Sequence, residues 1–443
     1  MTRRSILALT FCIVHSTSLW AWAEHPLLVR PALEGLELWE EVDSVEAKSL
    51  VGFLEETASD LFVFLEKHEL WARENLKDYR SRPYELQLDT SLTGEDLRAS
   101  FLRAVRMNPE SKIPLYLHLL PGEMVDEEVR ADPTGISIFD NLSRERQTVY
   151  LQLRAGQQVH PLDVLVTAND EPDYGFDIGL FEDNGTSHGA VYGFGNQPFG
   201  NPNLANSSQG PFHMAFYQEP AVVYAVAPFL DNSLLESRLF LFRALAKFAF
   251  SEGQDYWGWR FLGWSMHYAG DLSMPFHSNP LPGYSVFEMV RSQLSALRGN
   301  DNLQRNMIQL VSNRHMALEA YQLAELREAH LKRDENHPFL IALRADYELP
   351  EFDSDFARKV ASVHAAKQAD EMSSAVRRAM PDRFVNDPQT EARFLPELLE
   401  MNAVVRAYAS PEDLDDLNRE IAKRFEDFAV NVRTVLFSVL GDQ

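Results

Sequence analysis

The sequence is poor in cysteine, in basic residues and in long apolar runs. Cys12 is the only cysteine among 443 residues, which excludes an internal disulfide, a cysteine-built zinc finger and an iron–sulfur cluster. Acidic residues outnumber basic ones by 66 to 41, and the formal net charge of −25 disfavours a broad basic surface for duplex nucleic acid. Any metal site must therefore use His, Asp and Glu side chains.

The N-terminus carries the pattern of a secretory signal. Paired arginines precede an apolar run from Ile6 to Val14, and small residues follow. The run is too short to cross a bilayer core of about 30 Å as a helix, so we expect a secreted or periplasmic protein. Cleavage after Ala23 satisfies the small-residue rule, whereas cleavage after Ala21 makes Trp22 the first residue.

The hydrophobic patterns predict a mainly α-helical fold with a small α+β insertion. Helical spacing of apolar residues predicts two or more helices between Val29 and Arg80, and mostly helical structure from Glu219 onward. Between about 83 and 166, alternating residues at 84–88, 113–119 and 149–153 predict short strands around one helix. Residues 169–206 are rich in Gly, Asn, Asp and Pro and predict a long irregular loop.

Two histidine–carboxylate pairs stand at helical spacing. His267 and Asp271 are four residues apart, as are His315 and Glu319, so each pair projects from one face of a helix and can chelate one ion. His277 follows Asp271 closely, after a proline that ends or turns the helix. Imidazole and carboxylate ligands without thiolate favour zinc, with manganese or iron as alternatives.

The segment Trp264 to Ser278, WSMHYAGDLSMPFHS, resembles the H-[YF]-x-G-D-x-x-Q-P-x-H signature of the zinc-dependent phospholipase C and single-strand-specific zinc nuclease superfamily. The resemblance implies an all-helical, secreted phosphodiesterase domain with three clustered zinc ions. We place this domain at 22–325, after a signal peptide at 1–21. A helical extension at 326–443 is expected to pack on its core.

The resemblance also implies a set of metal ligands. In that family the processed chain begins with Trp, whose amino nitrogen and carbonyl oxygen bind zinc, and this favours cleavage after Ala21. Asp271 would bridge two ions, and Asp173 would also orient or deprotonate the attacking water. The implied ligands are Trp22, His25, Asp173, His213, His267, Asp271, His277, His315 and Glu319.

Some positions depart from the family pattern or leave a choice open. Met274 stands where the family has Gln, and the separation between His277 and His315 is longer than usual. Asp177 competes with Asp173 as a ligand. His188 is a second candidate imidazole, although its place in the Gly-rich and Asn-rich loop favours exposure to solvent.

The expected reaction is hydrolysis of a phosphoester by metal-activated water. A phospholipid at a membrane surface is the favoured substrate, because the last pair is His-x-x-x-Glu, Tyr follows the motif His, and the processed chain lacks cysteine. Single-stranded nucleic acid is the alternative substrate. Tyr192, Phe194 and Phe199 of the long loop could stack on bases, enter a lipid layer or anchor the loop to the core. A non-catalytic, zinc-containing binding protein is a further alternative, and no protein partner is predicted.

Overall fold

The computed structural model describes residues 22–139, 148–203, 205–392 and 395–441. The predicted signal segment at 1–21, including Cys12, lies outside the described residues. The described helices are α1 Pro26–Leu33, α2 Leu50–Asn75, α3 Gly94–Ala104, α4 Pro161–Ala168, α5 Gly210–His213, α6 Ala221–Val226, α7 Leu235–Ser251, α8 Asp255–Asp271, α9 Pro275–Ser278, α10 Val286–Leu297, α11 Asn302–Lys332, α12 Pro338–Arg344, α13 Val363–Lys367, α14 Ala369–Ala379, α15 Asp382–Val385, α16 Met401–Tyr408 and α17 Pro411–Leu440.

The mainly α-helical prediction is confirmed, and the strands form two small antiparallel sheets. The described strands are β1 Val45–Glu46, β2 Tyr116–Leu119, β3 Val149–Gln152 and β4 Gln158–Val159. Strand β2 pairs with β3, with Leu117 opposite Leu151, and β1 pairs with β4, with Val45 opposite Val159. The β2–β3 sheet therefore lies within the insertion, and the β1–β4 sheet joins the insertion to the segment between α1 and α2.

The predicted strand at 84–88 is wrong. Residues Tyr84–Leu86 form a 3-10 turn, and the N–H of Gln87 donates to the carbonyl oxygen of Tyr84. The alternation holds for only part of the segment, because Leu86 and Leu88 are buried whereas Tyr84, which the pattern places on the same face, is exposed. A buried–exposed alternation reports which side chains face the core, whereas a strand also needs a partner for its backbone, and the described residues provide none here.

Helix α8 lies at the centre of the fold. Every residue from Tyr256 to Asp271 is buried, as expected for a helix that is surrounded by protein on all sides. It packs against α7, α4 and α17. Close approach depends on glycine, because a Cβ atom at Gly263 would lie 2.7 Å from both Ala168 Cβ and Leu165 O of α4. The central helix thus holds α4, and the segment that follows α4, in a fixed position.

The C-terminal half is built from long helices that pack on this centre. Helix α11 runs through the predicted domain boundary at 325 and carries both His315 and Glu319. Helix α17 contacts α8, α12 and α1. Its buried residues follow helical spacing, as in Leu417, Ile421 and Phe425.

The long loop at 169–206 is anchored by its aromatic residues. Tyr192, Phe194 and Phe199 are all buried, and the Tyr192 hydroxyl donates to Met107 O at 2.8 Å. Phe194 packs edge-on against Phe212, with ring centroids 5.2 Å apart. Of the three roles considered for these rings, the structure shows anchoring to the core.

Among the described residues, no helix combines the length and the apolar character that a membrane span requires.

The glycine contact between α8 and α4 generates a testable prediction. Gly263→Ala should lower the free energy of unfolding by about 1–3 kcal/mol, because the added methyl group overpacks the contact with α4. Urea unfolding monitored by circular dichroism would measure the change. Gly35→Ala is the control, since nothing lies within 4 Å of its built Cβ, and its effect should be about 0.5 kcal/mol or less. Equal effects at the two positions would contradict this account.

Candidate metal centre

Three groups of buried histidine and carboxylate side chains could each hold a metal ion. Within each group, one potential ligand atom per residue lies within 4.8 Å of the others. The groups are His25, Asp173 and His267; His213, His267 and Asp271; and His277, His315 and Glu319.

The ligand candidates come from distant parts of the chain. His25 immediately precedes α1, Asp173 lies in a 3-10 turn at Glu171–Tyr174, and His213 ends α5. His267 and Asp271 occupy the last two turns of α8, and the short helix α9 presents His277. The 3-10 turn and α5 pack directly on α8, α1 packs on α4, α12 and α17, and α9 packs on α13 and α14.

Asp271 lies between two imidazoles. Its Oδ1 is 3.4 Å from His25 Nε2, and its Oδ2 is 2.9 Å from His213 Nδ1. Asp173 Oδ1 lies 3.8 Å from His213 Nδ1 and 3.7 Å from His267 Nε2. The two carboxylates therefore face the same imidazole nitrogens, and the two oxygens of Asp271 face different histidines.

Hydrogen bonds to oxygen acceptors set the orientation of three imidazoles. His267 Nδ1 donates to Asn169 O at 2.7 Å, and His277 Nδ1 donates to His213 O at 2.7 Å. His25 Nδ1 donates to Asn169 Oδ1 at 3.2 Å. A carbonyl or amide oxygen only accepts, so each Nδ1 carries a proton, and in the neutral form of each ring the lone pair lies on Nε2. This is the arrangement that metal-binding histidines adopt.

The third group lies beside the other two. His315 Nε2 is 2.9 Å from Glu319 Oε1, one helical turn away on α11. The rings of His277 and His315 are 5.0 Å apart, and the ring of Phe276 stacks on His315. His277 Nε2 has no hydrogen-bond partner within the described part of the chain, so it is available to a ligand.

Buried ion pairs hold the acidic segment that contains Asp173. Arg260 of α8 donates to both carboxylate oxygens of Glu171, at 3.0 and 2.5 Å. Arg238 of α7 donates to Asp177 Oδ1 at 2.8 Å, and the Tyr268 hydroxyl donates to Asp177 Oδ2 at 2.7 Å. The carboxylates on both sides of Asp173 are therefore bound by α7 and α8.

Asp173 and Asp177 differ in their electrostatic environment. Burial, together with the nearby charges of Asp271 and Asp170, raises the pKa of Asp173 to about 7 against the opposing effect of His213 and His25. Burial also opposes ionisation of Asp177, but Arg238 and hydrogen bonds from His213 and Tyr268 outweigh it and lower its pKa. The negative charge of Asp177 is therefore already compensated by Arg238 and by its hydrogen-bond donors.

Burial, the carboxylates and the neighbouring imidazoles shift the pKa values of the histidines. Burial favours the neutral form of His213, but hydrogen bonds to Asp177 and Asp271 outweigh it and raise its pKa to about 10. Burial and the neighbouring imidazoles lower the pKa of His267 well below its usual value, although Asp271 opposes this shift. Burial and His315 lower the pKa of His277 to about 3. The pocket thus attracts positive charge while keeping His267 and His277 neutral.

The N-terminal segment is fixed next to these groups. Trp22 is buried, and its indole donates to Ser273 Oγ at 2.9 Å, two residues after Asp271. Glu24 adopts a left-handed φ of 59°, and its carboxylate lies 3.2 Å from His118 Nε2 of strand β2 and accepts from Arg327 of α11 at 2.8 Å. The insertion therefore contributes a contact that holds the chain before His25.

The structure brings together eight of the nine predicted ligand side chains in the three groups, and it places Trp22 beside them. The competing candidate Asp177 lies outside the groups and contacts His213 Nε2 at 3.5 Å. His188 also lies outside them, is half-buried, and has its Nε2 3.4 Å from Ile178 O.

Sequence reasoning missed the residues that orient the ligands. Asn169 contacts His25 through its side chain and His267 through its carbonyl oxygen, and Arg238 binds Asp177. The one available signal was position, since Asn169 directly follows α4 and begins the acidic segment.

Comparisons of the chain with family models, with curated proteins and with solved structures find no match.

The role of Asn169 can be tested by substitution. Its Nδ2 donates to Gly263 O at 2.9 Å, which fixes its Oδ1 towards His25. Asn169→Ala should reduce the free energy of unfolding by about 1–3 kcal/mol, because it leaves buried polar groups without partners. Guanidinium unfolding would measure the loss. Asn300→Ala, at an exposed position, should have almost no effect, and a similar loss at both sites would refute the orienting role.

Proposed function

We propose that the protein is a secreted, zinc-dependent phosphodiesterase of the phospholipase C type. The observation that carries the proposal is the convergence of His25, Asp173, His213, His267, Asp271, His277, His315 and Glu319 in three adjoining buried groups. The resemblance of the segment around His267 to the phospholipase C and nuclease signature supports the same chemistry.

The residues present fit zinc. Two ligands that lie about 2.0–2.1 Å from a tetrahedral zinc ion are roughly 3.3 Å apart. The separations of 3.4 Å between Asp271 and His25 and of 3.6 Å between Asp271 and His267 are close to this value. Buried atoms without hydrogen-bond partners in the described ranges, including His25 Nε2 and Asp173 Oδ2, point to the same ligands.

Each group has a proposed role. Asp271, with its oxygens facing different imidazoles, would be shared by two ions, and His277, His315 and Glu319 would hold another. Bound zinc ions would supply Lewis acidity towards a phosphoryl oxygen and a water of lowered pKa. Asp173 would orient the attacking water and accept its proton. The amino group of Trp22 would complete the His25 site after cleavage following Ala21.

A phospholipid is the proposed substrate. The supporting sequence features are the His-x-x-x-Glu pair at 315–319, the tyrosine after His267 and the absence of cysteine beyond residue 12. The net charge of −25 would repel a nucleic-acid polyanion, although salt screens this repulsion beyond about 8 Å.

Metal content is the first test. The purified protein should contain one zinc ion for each of the three groups, and His267→Ala should lower the zinc content by about one ion, because the single Nε2 lone pair of His267 can bind one ion. Elemental analysis after gel filtration would measure the stoichiometry. His364→Ala removes an exposed histidine outside the groups and should retain the full content. Zinc well below two ions per chain in the unmodified protein would remove the proposed mechanism.

Activity is the second test. The zinc-loaded protein should release phosphocholine from phosphatidylcholine, and Asp173→Asn should lower kcat by about 10²-fold or more, because a positioned general base contributes this much. Rates with phosphatidylcholine and with single-stranded DNA would be compared under identical conditions. Faster cleavage of DNA would support the nuclease alternative, and turnover of neither substrate would leave a binding protein.

A further inference from the structure

An apolar cavity adjoins the metal groups. It is partly open to solvent, and its lining is mainly apolar. His315 lines the cavity, as do Met214 and Phe276, which are chain neighbours of His213 and His277. A molecule bound by its phosphate at the third group would therefore place its adjoining part in this cavity.

The walls of the cavity suit a hydrocarbon better than a nucleobase. Val223 of α6, Met289 of α10 and Ile308 of α11 are representative of the lining. Three polar side chains of the lining engage one another or the backbone, since Gln304 donates to Gln293 at 2.5 Å and Ser292 donates to Met289 O. The buried hydroxyl of Ser312 has no hydrogen-bond partner among the described residues. A base would lose hydrogen bonds to water on entering this space, whereas a hydrocarbon chain gains free energy when its methylene groups leave water.

The apolar face of α10 continues from the cavity to the protein surface. Val290 lines the cavity. On the same face of the helix, Val286 lies before it and Leu294 and Leu297 lie after it, at helical spacing and with exposed side chains. Phe287, beside them, is 74 % exposed. Helix α6 contacts α10 and adds the exposed Val222. We call these exposed residues of α6 and α10 the apolar lip. A cluster of this kind at a pocket mouth is typical of a binding surface.

We infer that the cavity binds one hydrocarbon chain of a lipid phosphodiester and that the apolar lip enters a zwitterionic lipid layer. The lip supplies apolar side chains that can enter the interfacial region, and the net charge of −25 disfavours an anionic surface. The inference deepens the proposed function and rests on it for its catalytic meaning. In this inference, residues of α6, α10 and α11 contact the lipid tail.

Binding to vesicles tests the apolar lip without turnover. Metal-free protein should co-sediment with phosphatidylcholine vesicles, and Phe287→Ser combined with Leu294→Ser should weaken partitioning about tenfold or more, since two apolar side chains no longer enter the layer. Phe287 is 74 % exposed and Leu294 is 37 % exposed, so circular dichroism should show that the double variant remains folded. Ile341→Ser removes an exposed apolar residue of α12 and should leave partitioning unchanged.

Binding of dansyl-labelled undecanoic acid tests the cavity. Val290→Trp and Val226→Trp each fill it from a half-buried position and should lower the affinity of the metal-free protein about tenfold or more. Val63→Trp, at an exposed position on α2, should bind normally. Wild-type affinity in both filled variants, or no binding by the unmodified protein, would overturn the inference.

Two further outcomes separate this inference from the proposed function. Hydrolysis of bis(p-nitrophenyl) phosphate by the zinc-loaded protein reports the metal centre without a lipid tail. Hydrolysis with no binding of vesicles or fatty acid would overturn the lipid site alone. Lipid binding with no hydrolysis would support the lipid site and contradict the proposed function. A dimer in light scattering that the double variant dissociates, with no vesicle binding, would assign the lip to a second copy.

Discussion

The structure depends on how the buried carboxylates of the segment 169–177 are compensated. A carboxylate in the core is costly unless a positive charge or hydrogen-bond donors face it. Arg260 forms a direct ion pair with Glu171, and Arg238 forms one with Asp177. Asp173 lies between them and faces imidazoles, as Asp271 does. Arginines therefore compensate Glu171 and Asp177, the His25 N–H and the Tyr174 hydroxyl donate to Asp170, and imidazoles face Asp173 and Asp271. A divalent cation would compensate both central carboxylates and use the imidazole lone pairs at the same time.

The same residues that compensate charge also create rigidity. Arg260, His267 and Asp271 belong to a helix that is buried along almost its entire length, and Asn169 is tied to that helix through the carbonyl oxygen of Gly263. Side chains held in this way lose little further freedom when a ligand binds, so more of the interaction energy appears as affinity. The close contact at Gly263 and the geometry of the candidate metal centre are thus parts of one packing arrangement.

Local spacing in the sequence revealed part of this arrangement, and the rest needed a different kind of information. His267 and Asp271 could be paired because one helical turn separates them, and the predominance of helix followed from apolar periodicity. Asp173 and His213 lie far from them along the chain and were reached only through a family resemblance. Asn169 and Arg238 were missed because their contacts are to a backbone oxygen, an imidazole and a carboxylate that no local pattern connects. The wrong strand at 84–88 has a similar cause, since alternation does not specify a pairing partner.

The long separation between His277 and His315 acquires a meaning in this structure. The intervening chain includes α10 and the first turns of α11, and residues of both helices, His315 among them, line the apolar cavity. In the proposed enzyme, this stretch, which is longer than in the family pattern, would contact the part of the substrate that does not react. Binding energy from such remote contacts can be used to position the reacting phosphate. The candidate metal ligands would then determine the chemistry, and the cavity would determine which phosphodiesters bind in position to react.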